Sequence, residues 1–284
     1  MTDRTRQSAS DGDPRHIDID TTVAHPARIH NYLAGGDAHF AADREAVDQA
    51  ASVVPGGVAT VRRAVQAITS FQRRVIHHLV GERGIRQLIK AGTAVPAGED
   101  VHEVALPLAP DVRVVYVGHD PMVLANAHAL RRSAPEGAVA YVHGSLQDLD
   151  RVLREAGETL DLARPVGVLL PATLNFIPDA RDPYGIVARL VAALASGSYV
   201  ALTHASHDIR SERMQEAAER FSKLLAEPYV VRTRDEIARF FAGLDLVEPG
   251  LVPIDEWRPG TGGEPEPDVE GRPPPLYGAV GRKP

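Results

Sequence analysis

The stretch IKAGTAVPAGEDVHEVA, residues 89–105, begins as a β-branched strand and then turns through glycine and other small residues. A strand that opens into such a turn has the form of a nucleotide-binding loop, where a missing side chain lets the backbone approach a ligand. Gly92, Thr93 and Ala94 lie in that turn, and Lys90 places an ammonium at its base. Other apolar runs also end on residues with useful chemistry. Gly118, His119 and Asp120 follow VRVVYV, His143 with Ser145 and Leu146 follows AVAYV, and His204 and His207 close SYVALT. Imidazole changes charge near neutral pH, so a strand-end histidine is a candidate general base, and His204 is the best placed. The loop LPATLNFIPDARDPYG, residues 170–185, adds Asn175, which donates and accepts hydrogen bonds but cannot take a proton at neutral pH. Phe176 beside it reads as a packing residue at the edge of a substrate pocket. The histidine spacings match no zinc signature such as H-E-x-x-H, so no metal is assigned.

These residues need a scaffold that brings several strand ends together. Short Val/Ile/Leu runs at 85–92, 112–118, 138–144, 165–172 and 198–205 alternate with amphipathic stretches near 99–109, 121–133, 146–157 and 184–195. Continuous apolar runs of that length are strands buried on both faces, and the alternation predicts a doubly wound α/β sheet. In such a sheet a ligand sits beyond the carboxyl ends of the strands, where strand order reverses. Before the first strand, HPARIHNYLAGG and DAHFAADREAVDQAAS read as helices, and Val61, Val65, Ile68, Val75 and Leu79 mark one face of a long helix. Its basic residues, and the His77-His78 pair, read as solvent-facing. Helices near 210–226 and 233–242 precede LDLVEPGLVPI and PLYGAVGRK, which read as an antiparallel pair at one sheet edge. The expected organisation is a disordered tail over 1–22, a helical lid over 23–82, and an α/β domain over 83–284 with a flexible Pro/Gly/Glu-rich loop at 258–275.

Composition narrows the function. Of 284 residues 44% are hydrophobic, enough for a sizeable core, and 38 acids against 31 bases give a net charge of −7. No basic stripe for phosphate backbones is present, which argues against nucleic acid. No apolar run reaches a membrane span. With no cysteine there is neither disulfide nor thiolate chemistry, and a cytoplasmic location is expected. The expected partner is a small molecule; a homodimer is compatible with the sequence.

Several stretches go further: HPARIHNYLAGGDAHFAADREAV (25–47), GIRQLIKAGTAVPAGEDVHEVA (84–105), VVYVGHDPMVLANAHAL (114–130), DPYGIVARL (182–190), GSYVALTHAS (197–206) and YGAVGRK (277–283). Together they resemble an actinobacterial family of S-adenosyl methyltransferases, from about residue 24 to the C-terminus. The most specific part is Gly35 to Arg44. The resemblance implies a seven-stranded, Rossmann-like class I methyltransferase sheet that binds S-adenosylmethionine (SAM), with the last strand antiparallel. It also implies that Tyr32, His39, Phe40, Asp43 and Arg44 belong to a layer closing over the crevice.

The same resemblance implies three acids around the cofactor, and none stands in its place. Lys90 takes the position of the first-strand acid and Ala94 that of the second glycine. Gly118 stands where an acid would accept the ribose hydroxyls, and Ser145 where one would lie near the adenine amino group. Asn175 stands where family members tend to carry histidine. SAM is itself a cation, so losing three carboxylates and gaining an ammonium opposes its binding. Asp120, Glu99 or Asp100 could restore negative charge, or Lys90 could snorkel outward. Two readings follow: a SAM-dependent enzyme acting on a small molecule, or a degenerate methyltransferase fold that binds another ligand or performs SAM-independent chemistry.

Overall fold

The β-branched runs pair as parallel strands because each has apolar residues on both faces to bury. The computed structural model describes residues 19–54, 56–92, 99–120, 122–123, 135, 137–209, 211–225, 228–260 and 274–284. Strands β1 (Gln87–Ala91), β2 (Arg113–Gly118), β3 (Val139–His143), β4 (Gly167–Pro171) and β5 (Tyr199–Ala205) are parallel, in the order β3-β2-β1-β4-β5. Order reverses between β1 and β4, which sets the crevice there.

The far edge differs from expectation. The sheet has eight strands, because LDLVEPGLVPI divides into β6 (Asp245–Leu246) and β7 (Val252–Pro253). A turn closed by Gly250 N–H donating to Val247 O separates them, and both lie antiparallel to β8 (Leu276–Arg282).

Each face has its own core. Ile89, Val115, Val168, Leu170 and Val200 pack with α5 (Leu149–Ala156) and α6 (Pro183–Ala193). Leu88, Val114, Tyr116 and Leu169 pack on the other face with α3 (Gly57–Ile76) and α4 (Val101–Ala105). Strand alternation therefore sends Lys90 to the α3/α4 side, between Leu88 and the crevice. The first helices, α1 (Pro26–Leu33) and α2 (Ala41–Ala51), bury Ile29, Leu33, Ala46 and Val47 with Val65 of α3 and Leu225 beyond α7 (Ser211–Leu224). Thus α3 serves two cores: Val65 faces the N-terminal helices, while Ile68, Phe71, Val75 and Leu79 face the sheet.

Two expected surface features are interior. Arg74 is 1% exposed and donates to Trp257 O, Ile254 O and Ser70 Oγ, tying α3 to the chain after β7. His78 is likewise buried, in a π-turn (His77–Glu82) that continues α3, between Glu82 and Arg258. Both are polar heads carried on apolar faces, which periodicity alone assigns to solvent. Among the described residues no helix is long and apolar enough to cross a membrane.

Candidate functional site

The carboxyl ends of β1, β2 and β3 meet in register, with Ala91 beside Val117 and Gly118 beside His143. Lys90, Gly92, Gly118, His119, Asp120, Ser145 and Leu146 therefore gather at one sheet edge. Thr93 and Ala94 lie outside the described residues. Ser145 caps a short 3-10 turn by accepting Gln147 N–H, and Leu146 is buried in the sheet core rather than at the rim. His119 and His143 are exposed; the latter lies 3.3 Å from the His119 carbonyl through Nε2.

The Lys90 ammonium does not stand free in the crevice. Its Nζ is 2.8 Å from Asp100 Oδ1, with side-chain exposures of 12% and 5%. Asp100 also caps α4: its carboxylate accepts Val101 N–H, and its own N–H donates to Glu103. Burial would push the Asp100 carboxyl up, but Lys90's charge and hydrogen bond, with the Val101 N–H, hold it below the usual carboxylate range. The added positive charge is thus cancelled locally, by one of the acids the sequence offered for that task. Glu99, another, is engaged by Arg73.

Gly92 has φ +77°, and a Cβ there would meet Thr173 Oγ1 at 2.5 Å. Thr173 donates to Ala91 O at 2.7 Å, so the loop after β4 closes onto the end of β1. The glycine makes room for this side chain. Gly92→Ala is expected to cost about 1–3 kcal/mol in chemical denaturation, from left-handed strain and the clash; adding Thr173→Ala should recover part of it.

Above this floor lies α1. Its N-cap His25 places Nδ1 2.8 Å from Asp120 Oδ2, while Asp120 Oδ1 accepts Met122 N–H at 2.7 Å. Both Asp120 oxygens thus have protein partners. Burial would raise this carboxyl, but the hydrogen bond and charge of His25 lead the effects that keep it below its ordinary value. At the other end of α1, burial pushes the His30 imidazole down to about 4, with the Lys90 charge adding to the effect. Gly35, at φ +89°, ends the helix. Gly36 has no room for a side chain, since the buried Asn31 amide would lie 2.4 Å from a Cβ.

The expected lid residues hold this layer together. Asp43 is fully buried: it accepts His25 N–H and Phe40 N–H, and is no surface partner of Arg44. Arg44 instead meets His39 Nδ1. The Tyr32 ring lies between His39, edge-on at 4.9 Å, and the Arg62 guanidinium at 5.2 Å. Phe40 lies beneath Arg28. Phe176 packs edge-on against Tyr229 at 5.3 Å and joins the N-terminal cluster.

His204 and Asn175 sit deeper than the sequence suggests. Both are 0% exposed. Arg232 Nη1 is 2.8 Å from His204 Nε2, and because a guanidinium only donates, Nε2 accepts. The ring proton then sits on Nδ1 and points at Ala205 O, 2.8 Å away. Burial lowers this imidazole to about 3, with Arg232 adding to the effect. Both ring nitrogens are occupied within the fold, so His204 is not the rim base that its strand-end position implied. Asn175 likewise clips backbone, donating to Val230 O and accepting from Ala205 N–H. His207 lies just beyond, partly exposed beside Asp208.

Arg232 was invisible to sequence reasoning. It is 1% exposed and also donates to Leu174 O, Ile177 O and Asp179, holding the whole post-β4 loop. Its position in a stretch without periodicity gave no signal. His25 gave a faint one, standing just before Pro26 where an N-cap belongs. Among the described residues no group of histidines and acids could hold a metal.

The whole chain has close structural counterparts. A family profile described as S-adenosyl methyltransferase matches residues 13–284. A DUF574 family protein from Streptomyces avermitilis MA-4680 is 37% identical with a TM-score of 0.87, covering 94% of this chain and 100% of its own. A candidate methyltransferase from Thermobifida fusca YX is 31% identical with a TM-score of 0.83, covering 93% of this chain and 96% of its own. Comparison with curated proteins gave no match.

Proposed function

Because the chain belongs to the S-adenosyl methyltransferase family, whose reaction is SAM-dependent methyl transfer, we propose that the crevice beyond β1–β4 is its ligand site, remodelled so that SAM is held far more weakly than by a member with its acids in place. The observation that carries this reading is the Lys90–Asp100 pair. Where the resemblance puts a free carboxylate, the chain has an ammonium bound to the nearest acid.

Among the described residues, the acidic acceptors that SAM would use are already engaged. The cofactor's ammonium, ribose and adenine amino groups call for acceptors, yet Asp100 is held by Lys90 and the α4 cap, and Asp120 by His25 and Met122. Gly118 and Ser145 offer no carboxylate. Asp100 cancels the charge of Lys90, so the dominant loss is of hydrogen bonds to charged acceptors rather than bulk repulsion. Each such bond is worth about 1.5–3 kcal/mol, and losing two or three lowers affinity by roughly a hundredfold to more than a millionfold. With its acids neutralised and His119 and His143 exposed at the rim, the crevice suits a neutral or anionic small molecule. Methyl transfer is therefore nominal here, and a role as a ligand-binding module on the family fold accounts better for the site.

Restoring the acids tests the cause. Lys90→Asp alone would set two carboxylates together, so it is paired with Asp100→Asn, with Ala94→Gly and with Gly118→Asp. Calorimetry is expected to register about tenfold or greater gain in SAM affinity for each restored acid. If the combined variant folds and binds SAM no better than the parent chain, the electrostatic account is wrong.

A further inference from the structure

The N-terminal helices meet the crevice through four buried or nearly buried ionisable groups. His25 and Arg28 come from the α1 side, Asp43 from α2, and Asp120 from the end of β2. Arg28 Nε is 3.4 Å from Asp43 and 4.0 Å from Asp120, and His25 Nδ1 is 2.8 Å from Asp120. Asp43 and Asp120 are 0% and 2% exposed. Two fixed negative charges thus face one fixed positive charge, and the node is neutral when the His25 imidazole is charged. Leaving a buried charge uncompensated is costly.

We propose that His25 and Asp120 form a protonation-dependent latch that holds α1 closed over the ends of β1 and β2. The Nδ1 atom of His25 has two partners it cannot serve together. While the ring is charged both nitrogens carry protons and Nδ1 donates to Asp120; once one proton is lost the other can sit on Nε2, and Nδ1 then accepts from Ala27 N–H, 3.2 Å away, as an ordinary N-cap. Proton loss therefore weakens the tie across the crevice while leaving α1 capped as a helix. Among the described residues, the apolar contacts between α1 and the end of β2 are Ala27 against Val123, with Met122 and Tyr141 alongside.

Among the described residues, the charged groups near His25 all bear on this balance. Arg28 lies on its own helix and Asp43 on α2. Asp120 and the His119 ring, edge-on at 5.2 Å, come from the end of β2, and the Tyr141 hydroxyl of β3 feels the Asp120 charge. His30, at the far end of α1, stays neutral down to about pH 4 and contributes no charge change near neutrality.

Hydrogen exchange of the full chain, read by mass spectrometry on peptides spanning residues 24–34 and corrected for intrinsic rate, measures the closure directly. Protection of α1 is expected to fall about tenfold from pH 6.5 to 8.5, the worth of one charge-assisted hydrogen bond, while β5 peptides hold steady. In His25→Gln, and separately in Asp120→Asn, lost capping or packing shifts the level of protection, but its slope with pH should vanish. Equal α1 protection at both pH values in the parent chain overturns the proposal, as does an unchanged slope in either variant.

Discussion

Replacing Arg232 with Met is expected to cost about 3–5 kcal/mol, read as a fall of roughly 10 °C in the thermal midpoint. One guanidinium donates to His204 Nε2, Leu174 O and Ile177 O, all interior, and to Asp179 at the edge. Removing it strands two buried acceptors, His204 Nε2 and Ile177 O, each at about 1–3 kcal/mol, and takes one of two donors from Leu174 O, partly offset by no longer burying a charge. Arg232→Lys should rescue little, because a single ammonium cannot span a fork of acceptors on both β5 and the loop after β4. A loss under about 1 kcal/mol in Arg232→Met would mean that the loop after β4 is held by its apolar contacts alone.

Acid should destabilise the protein well before its carboxylates titrate. His204 is held neutral down to about 3 and His30 down to about 4, whereas both charge near 6.5 once unfolded. The sign follows from proton counting. Between those limits the unfolded chain binds more protons, so stability falls as pH drops below about 6.5 and is fully recovered above it. At pH 4.5 the two groups together cost roughly 3–5 kcal/mol, the smaller share from His30, which is only partly enclosed. Urea unfolding at pH 7.0 and 4.5 gives the difference directly, and His204→Gln should remove the larger part of it. Equal stability at the two pH values would contradict the buried, neutral assignment of His204. This trend runs opposite in sign to the His25 latch, which tightens as protons are added.

The scaffold was legible because its signals are local. The strands lie within about two residues of the apolar runs that mark them, since burial on both faces demands a continuous apolar stretch. The edge was less so. A broken pair of two-residue strands depends on β8 as partner, and nothing nearby in the chain encodes that partner. The site was legible as a place but not as a set of contacts. Strand ends located Lys90, Gly118 and Asp120, and the D-x-x-E spacing from Asp100 to Glu103 is a capping box any reader can find. That Asp100 also neutralises Lys90, or that His25 reaches Asp120 from 95 residues upstream, follows only from how α1 and α4 pack. His204 misled for the same reason: strand position sets which end a residue occupies, not whether a later segment such as the one bearing Arg232 closes over it.

These contacts make one account of the crevice. Its floor holds the Lys90–Asp100 ion pair, and Asp120 at the end of β2 is tied to the helix above. Titration calorimetry of the purified parent chain with SAM and with S-adenosylhomocysteine tests this most directly. The account predicts no binding tighter than about 1 mM for SAM, and a comparable loss for S-adenosylhomocysteine, which lacks the sulfonium charge but keeps the same ammonium, ribose and adenine donors. A micromolar dissociation constant for SAM, or SAM carried through purification, would contradict it.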